Sequence, residues 1–227
     1  MNAARQVFRA PGRIAPPVKL RLTPLLLIAL LPGCSREGLQ ADGGIYATRT
    51  ACPLVGIPAG TGDITLFNPP GRTDAVALDV SATMTNLRTV CQDSGADVIS
   101  TASFDVVAVR RIAGPARQVV LPYFNVVVQG GSDVVAKRVG AVAVNFADGA
   151  LRASTSGQAT ARVNRSVATL PDDIRRILNQ ERKPGDASAA VDPMSDPAVR
   201  EAVARATFEQ LVGFQLTPDQ LRYNVTR

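Results

Sequence analysis

The sequence predicts a mainly β fold: an antiparallel meander that closes into a β-sandwich or partial barrel, followed by short C-terminal helices. Three observations predict it. Apolar and polar residues alternate with a period of two along several stretches after residue 74. Short turns rich in Gly, Asp and Ser separate those stretches. No helical pattern connects them, which argues against a parallel α/β sheet.

The first long strand is predicted to begin near Asp74. Its apolar face consists of every second residue: Val76, Leu78, Val80, Ala82 and Met84. The alternation changes parity after Met84, and we therefore predict a β-bulge near Asn86. The stretch QDSGA at 92–96 predicts the turn that ends this strand.

Four more strands are predicted at about 97–111, 117–129, 134–147 and 151–168. The expected buried faces of the second and fourth strands are Phe104, Val106 and Ala108, and Val142, Val144 and Phe146. Pro122 in the third strand has no N–H for a sheet ladder, which predicts an edge position or a bulge.

The C-terminal part is predicted to be mixed. A short helix opens at 170–173 with an apolar stripe, an exposed loop follows at 181–197, and a second helix covers about 197–206. The stripe of the first helix is Ile174, Ile177 and Leu178, and the inner face of the second is Val199, Ala202 and Val203. The stretch 207–217 favours a strand, with a continued helix as the alternative. Thr217 caps a last helical turn in which Leu221 faces inward.

Residues 1–33 read as a secretory leader. Five basic residues and no acidic ones precede Cys34, and the apolar core Leu25–Leu31 is short. About 20 apolar residues are needed to span a membrane, so this run is too short to do so. Pro24 and Pro32 bracket it, which argues against a buried strand or helix.

The motif Leu31-Pro32-Gly33-Cys34 resembles the bacterial lipobox, which lipoprotein signal peptidase reads. The resemblance implies cleavage between Gly33 and Cys34 and lipidation of Cys34. Ser35, which is not Asp, implies sorting to the outer membrane. We therefore expect residues 34–50 to be a lipidated N-terminus and tether, and 51–227 to be a single β-rich domain facing the periplasm.

The body resembles uncharacterised envelope lipoproteins of proteobacteria. Three short stretches carry the likeness: Cys52-Pro53 near the start of the domain, LPYF at 121–124, and VGFQLTPDQL at 212–221. This resemblance implies no activity.

The composition disfavours several functions. The chain has no His, which excludes Ser-His-Asp and Cys-His catalysis and His-ligated zinc. The net charge of +6 sits largely in the leader, since 20 basic and 19 acidic residues follow from Cys34 onward. A basic patch for nucleic acid is therefore not expected. We expect no catalytic residue, no cofactor and no metal site.

Candidate site residues have ordinary structural explanations. Asp172-Asp173 is a carboxylate pair, but such pairs more often stabilise a helix N-terminus. Arg110-Arg111 and Lys137-Arg138, near strand ends, are candidates for anionic lipid head groups, or they discourage aggregation. Tyr123-Phe124 and Phe214 are expected in the core or at its rim; if they line an open groove instead, they mark a partner or lipid site.

Two function hypotheses remain. The first is an outer-membrane-anchored lipoprotein of structural or binding type, with a membrane contact through its lipid and an envelope protein or lipid as partner. The second is a carrier or assembly factor that holds a lipid or an outer-membrane-protein segment between its sheets, or adds a strand at the Pro122 edge.

With Cys34 lipidated, Cys52 and Cys91 form an even pair, and the compartment is oxidising. A bridge would close a loop of about 40 residues and contribute roughly 4 kcal/mol in the chain-entropy model. Two free buried thiols are the alternative.

Alkylation of the mature protein without reductant is therefore expected to label no thiol, and alkylation after reduction to label Cys52 and Cys91. Peptide mass spectrometry checks this. A reactive Cys52 in the unreduced protein would contradict the bridge.

Overall fold

The computed structural model describes residues 50–180, 182 and 185–226, and its fold is mainly β with short C-terminal helices, as predicted. Gly33, Cys34 and the rest of the leader lie outside these residues. The strands are β1 (Leu54–Gly56), β2 (Asp63–Phe67), β3 (Leu78–Ser94), β4 (Asp97–Arg110), β5 (Arg117–Gln129), β6 (Asp133–Phe146), β7 (Arg152–Asn164) and β8 (Phe208–Phe214). The helices are α1 (Arg165–Ala168), α2 (Asp172–Asn179), α3 (Pro197–Ala206) and α4 (Pro218–Thr226). None of these helices has the length and apolar content needed to traverse a bilayer.

The strands form two four-stranded sheets that share one core. Sheet 1 has the order β2-β3-β4-β7, and sheet 2 has the order β1-β8-β5-β6. The meander holds within β2-β3-β4 and within β5-β6. It is then interrupted, because β7 returns to pair with β4 and β8 returns to pair with β5. The short β1 pairs with β8 in parallel, so sheet 2 is not wholly antiparallel.

Side chains that alternate inward fill the space between the sheets. The predicted inner faces of β4 and β6 are buried as expected. Phe104, Leu121, Phe146 and Phe214 each retain 2% exposure or less, and they come from both sheets. Because aromatic residues are few, Val and Ala complete most of this core.

The bulge predicted in the first long strand is confirmed. The register between β3 and β4 shifts between Thr85 and Arg88, and Asn86 has a φ of 55°. Asn tolerates this left-handed conformation better than most residues with a side chain.

The predicted ends of the long strands need correction. Val76 is 69% exposed, because Asp74 accepts hydrogen bonds from the N–H groups of Val76 and Ala77 and so forms a turn before β3. The stretch 92–96 is not all turn, since β3 continues to Ser94. The predicted fifth strand ends early, at Asn164, whose side chain caps α1.

The predicted edge position of Pro122 is wrong. Its strand β5 lies inside sheet 2, between β8 and β6. The Pro122 carbonyl accepts a hydrogen bond from the Gln215 N–H at 2.9 Å, just past the end of β8. The N–H and C=O of one strand residue point to the same side of the strand. The N–H that Pro122 lacks would therefore point toward the end of β8 and not toward β6. The proline therefore costs the β5–β6 ladder no hydrogen bond.

The two predicted helices are confirmed, but Ile177, predicted in the apolar stripe of the first, is 39% exposed. Asp172–Asn179 and Pro197–Ala206 are helical, and Ile174, Val199, Ala202 and Val203 are buried in one small cluster. The predicted loop at 181–197 contains two 3-10 turns, Ala187–Ala190 and Pro193–Ser195, and Met194 packs on that cluster. The region 208–214 is a strand, not a continued helix.

Leu221 does not face inward, since it is 41% exposed. The last helix, α4, is longer than the single turn predicted, and Asn224 turns inward instead. Its Nδ2 donates to the carbonyls of Gly60 and Asp63 at 2.9 and 2.7 Å. These bonds tie α4 to the loop between β1 and β2.

The Sγ atoms of Cys52 and Cys91 lie 2.14 Å apart, at disulfide-bonding distance, so the predicted pairing is confirmed. Cys52 precedes β1 of sheet 2, and Cys91 belongs to β3 of sheet 1. The bond therefore links the start of the domain to the opposite sheet.

Gln210 forms a polar contact within the core that the strand pattern did not indicate. It is fully buried on the inner face of β8. Its Oε1 accepts from Ser100 Oγ at 2.6 Å, and its Nε2 donates to Asn125 Oδ1 at 3.1 Å and to the Ala159 carbonyl at 3.0 Å. Ser100 and Ala159 belong to sheet 1, whereas Gln210 and Asn125 belong to sheet 2, so these bonds cross the core.

Gln210→Ala is expected to lower the free energy of unfolding by roughly 3 kcal/mol, because it leaves buried polar groups on both sheets unpaired. Urea unfolding of the oxidised protein measures this. Gln158→Ala, an exposed site on β7, is the matched control and should stay within about 0.5 kcal/mol of wild type. Equal destabilisation by both variants would contradict the assigned role of Gln210.

Candidate functional site

Most predicted surface residues serve structural roles. Asp172 and Asp173 open α2, and Asp172 pairs with Arg175 on the next turn. This geometry is that of a helix N-terminus. Lys137 and Arg138 are exposed on the outermost strand of sheet 2, as expected.

The prediction that Arg110 is a candidate for lipid head groups needs correction, because its side chain is not available to them. Only 4% of it is exposed. Its guanidinium donates to the carbonyls of Gly114, Pro115, Ala147 and Ala150, and it lies 5.3 Å from the Phe146 ring centroid. It therefore fastens two neighbouring turns together, and its neighbour Arg111 is the exposed member of the pair.

The outer faces of the two sheets differ in polarity. Sheet 1 presents mainly polar groups on β4 and β7: Thr101, Ser103, Asp105, Ser154, Ser156, Gln158, Thr160 and Arg162. Val107 and Val109 of β4 also lie on this face, 38% and 36% exposed, and each is paired with a polar residue of β7. This is the ordinary arrangement for a sheet with one face in water. The corresponding face of sheet 2 is not polar.

On sheet 2, the outward residues of β5 and β6 form a continuous apolar surface, which we call the apolar face. It consists of Val120, Pro122, Phe124 and Val126 on β5, and Val139, Ala141 and Ala143 on β6. The two rows are paired across the strands, Val120 with Ala143, Pro122 with Ala141 and Phe124 with Val139. Val120 is 56% exposed and Val139 is 59% exposed.

Polar residues bound the apolar face at both ends. At one end, Gln118 Nε2 donates to Asn145 Oδ1 at 2.9 Å. At the other end, Lys137 is paired with Val126. A polar rim around an exposed apolar patch is typical of an interaction surface.

Phe124 lies on the side of the apolar face that is next to β8. Gly213 is its partner across the strands. A Cβ at Gly213 would stand 2.3 Å from Thr61 Oγ1 and 2.9 Å from the Phe124 ring, so only glycine fits there. The loop that carries Thr61 thus covers one side of the Phe124 ring and leaves it half-buried.

Neighbouring Tyr123 points the opposite way. Its ring meets Phe104 in the core, with centroids 5.2 Å apart, and its hydroxyl donates to the Gln158 carbonyl at 2.8 Å. The expectation of a core or rim position is confirmed for Tyr123 and Phe214. It is wrong for Phe124, which faces outward on sheet 2 because strand alternation sends it to the side opposite Tyr123. The sequence did contain a signal for the apolar face, which was missed. In the run VVLPYFNVVV at 119–128, the residues on both sides of the strand are mainly apolar instead of alternating with polar ones.

Known proteins offer no guide here. No protein-family model, no curated protein and no solved structure matches the chain.

A polar depression of about 320 Å³ lies on the outer face of sheet 1, beside the bulge. Asp105 lines the depression and accepts hydrogen bonds from Asn86 Nδ2 and from Ser156 Oγ, the latter at 2.8 Å. Arg88 Nε donates to Asn86 Oδ1 at 3.0 Å. The bond from Asn86, followed by that from Ser156, lowers the pKa of Asp105. These contacts join the bulged strand to β4 and β7.

Asp105 therefore contributes a pH-dependent stabilisation. A lowered pKa in the folded protein means that the contribution is complete above the ordinary value of 3.8 and is lost as the pH falls through the folded pKa. Asp105→Asn is expected to reduce stability at pH 7, and the difference from wild type should vanish in acid.

Urea unfolding from pH 7 to pH 2 tests this. Asn86→Gly keeps the left-handed backbone and removes the amide, so it should flatten the same pH dependence. A difference between wild type and Asp105→Asn that is equal at pH 7 and pH 2 would contradict the role of Asp105.

Proposed function

We propose that this chain is a lipid-anchored lipoprotein of the outer membrane that faces the periplasm and works as a structural or binding module, without catalytic activity. The lipobox-like Leu31-Pro32-Gly33-Cys34 and the short apolar leader before it support the anchor. The confirmed pairing of Cys52 with Cys91 is consistent with an oxidising compartment.

One observation carries the binding role, the apolar face on the outside of sheet 2. The interior between the sheets is filled by side chains, with Phe104, Phe146 and Phe214 almost fully buried. In the described part of the chain, the apolar face on the outside of sheet 2 is therefore available for binding. A docking module presents its contacts on an outer face of this kind.

The carrier hypothesis receives less support. A lipid held between the sheets would have to displace packed aromatic rings and the hydrogen bonds of Gln210. Strand addition at Pro122 is not available, since β5 already has a neighbour on each side. On the outermost strand β6, the pairing register shifts opposite Val127 and Val128, and Lys137 and Arg138 follow. Bulges and charges of this kind discourage added strands.

Cys34→Ser is expected to abolish both leader cleavage by the lipoprotein peptidase and acylation. Intact mass of the membrane-extracted protein should show wild type beginning at Cys34 with acyl mass, and the variant retaining residues 1–33 without it. Ser35→Ala is the control and should be processed like wild type. Density-gradient separation of membranes should place wild type in the outer membrane and Ser35→Asp in the inner membrane.

Cleaved, acylated Cys34→Ser protein would rule out the anchor at this position. Wild type in the inner-membrane fraction would overturn the proposed location.

A further inference from the structure

We propose that the apolar face lies against the phospholipid surface of the membrane to which the chain is anchored. This inference rests on the proposed anchor at Cys34. It assigns the outer face of sheet 2, and not the outer face of sheet 1, as the side of the domain that meets the bilayer.

The contrast between the two outer faces is the first argument. Both belong to one sandwich, and water is the default environment of each. Sheet 1 follows that default at most outward positions, and its exposed Val107 and Val109 are paired with polar residues of β7. On sheet 2, Val120 and Val139 each expose more than half of their surface and are paired with apolar residues. Contiguous exposed apolar residues at paired strand positions indicate a non-aqueous neighbour.

The position of the tether is the second argument. The described chain begins at residue 50 and enters the fold at β1, which is a strand of sheet 2. The 16 residues from Cys34 to residue 50 reach at most about 55 Å when extended. The first strand after the tether thus belongs to the sheet that carries the apolar face, while Cys52, just before that strand, is bonded to β3 of sheet 1.

The small area of the apolar face favours a contact made by an anchored domain over an association between free proteins. Four outward positions along β5 and the width of two strands give an area on the order of 200 Å². A stable association between free proteins buries about 800 Å² on each partner. A lipid anchor removes this requirement, because it holds the face near the bilayer at a high effective concentration.

Lys137 adds a positively charged group to the proposed membrane contact. It is exposed at the end of the face and, among the residues that the structure describes, it has no carboxylate partner. It is paired with Val126 and lies two residues from Val139 on the same strand face, so its ammonium group is placed to meet a lipid phosphate. Lysine side chains commonly bridge apolar surface and head groups in this way.

The test uses the lipidated full chain, purified and reconstituted into vesicles of phosphatidylethanolamine and phosphatidylglycerol. With Cys34 acylated and Cys52 bonded to Cys91, a single introduced cysteine takes one nitroxide label. Val139→Cys reports on the apolar face, and Gln158→Cys on the outer face of sheet 1. Collision rates with a water-soluble nickel chelate and with oxygen, which concentrates in lipid, give the environment of each label.

We expect the label at 139 to be several-fold less accessible to the nickel chelate than the label at 158, and more accessible to oxygen. Equal accessibility at the two positions would overturn the proposal. Spin–spin broadening at 139 that grows with the protein-to-lipid ratio would also overturn it, because it would identify a second copy of this chain as the occupant.

A charge placed on the face provides the second measurement. Val120→Asp, read by the label at 139, should restore access of the nickel chelate while the protein still floats with the vesicles. Gln158→Asp is the matched control and should leave the protection at 139 unchanged. If Val120→Asp also leaves it unchanged, the face is not the contact.

Flotation separates the two proposals. Protein that fails to float lacks the anchor, and the proposed function fails. Protein that floats with label 139 as exposed as label 158 keeps the anchor, and only the membrane docking fails.

Discussion

The hydrogen bonds of Gln210 hold the two sheets in one fixed arrangement. Apolar packing alone tolerates small sliding of one sheet over the other, whereas a buried amide must keep all its partners or leave them unsatisfied. Ser100 and Ala159 on sheet 1 and Asn125 on sheet 2 meet at this amide. Asn125 also donates to the Thr160 carbonyl at 3.0 Å, so β7, which has a strand neighbour on one side only, gains partners from the opposite sheet.

This constraint decides which side chains remain outside. Once Gln210 and Asn125 point into the core, strand alternation sends Leu211, Phe124 and Val126 to the outer side of sheet 2. Tyr123 and Phe124 show the result most plainly, since adjacent aromatic residues serve opposite faces of one strand. The apolar face is therefore a consequence of the register that the core demands.

The sequence predicted the parts of the fold that depend on local pattern. The spans of β4, β5 and β6, the bulge at Asn86 and the helix beginning at Pro197 all follow from alternation, turns and breakers that a few neighbouring residues set. The pairing of β7 with β4 and of β8 with β5 could not be predicted, because the partners lie far apart in the chain and the pattern carries no partner identity. The burial of Arg110 was missed for a related reason: two of its four carbonyl partners, Ala147 and Ala150, belong to a turn about 40 residues away. The apolar face could have been predicted from β5, because residues on both sides of this strand are apolar. It was missed because the aromatic residues of β5 were expected in the core or at its rim.

The disulfide has a mechanical consequence. In the proposed anchored state, the domain would be pulled at its N-terminal end whenever envelope layers move relative to one another. Here β1 is only three residues long and would peel from β8 under such a load. The covalent bond of Cys52 to Cys91 lies ahead of β1 in the chain, so tension passes directly to the long strand β3 at the centre of sheet 1 and bypasses the weakest ladder of the fold.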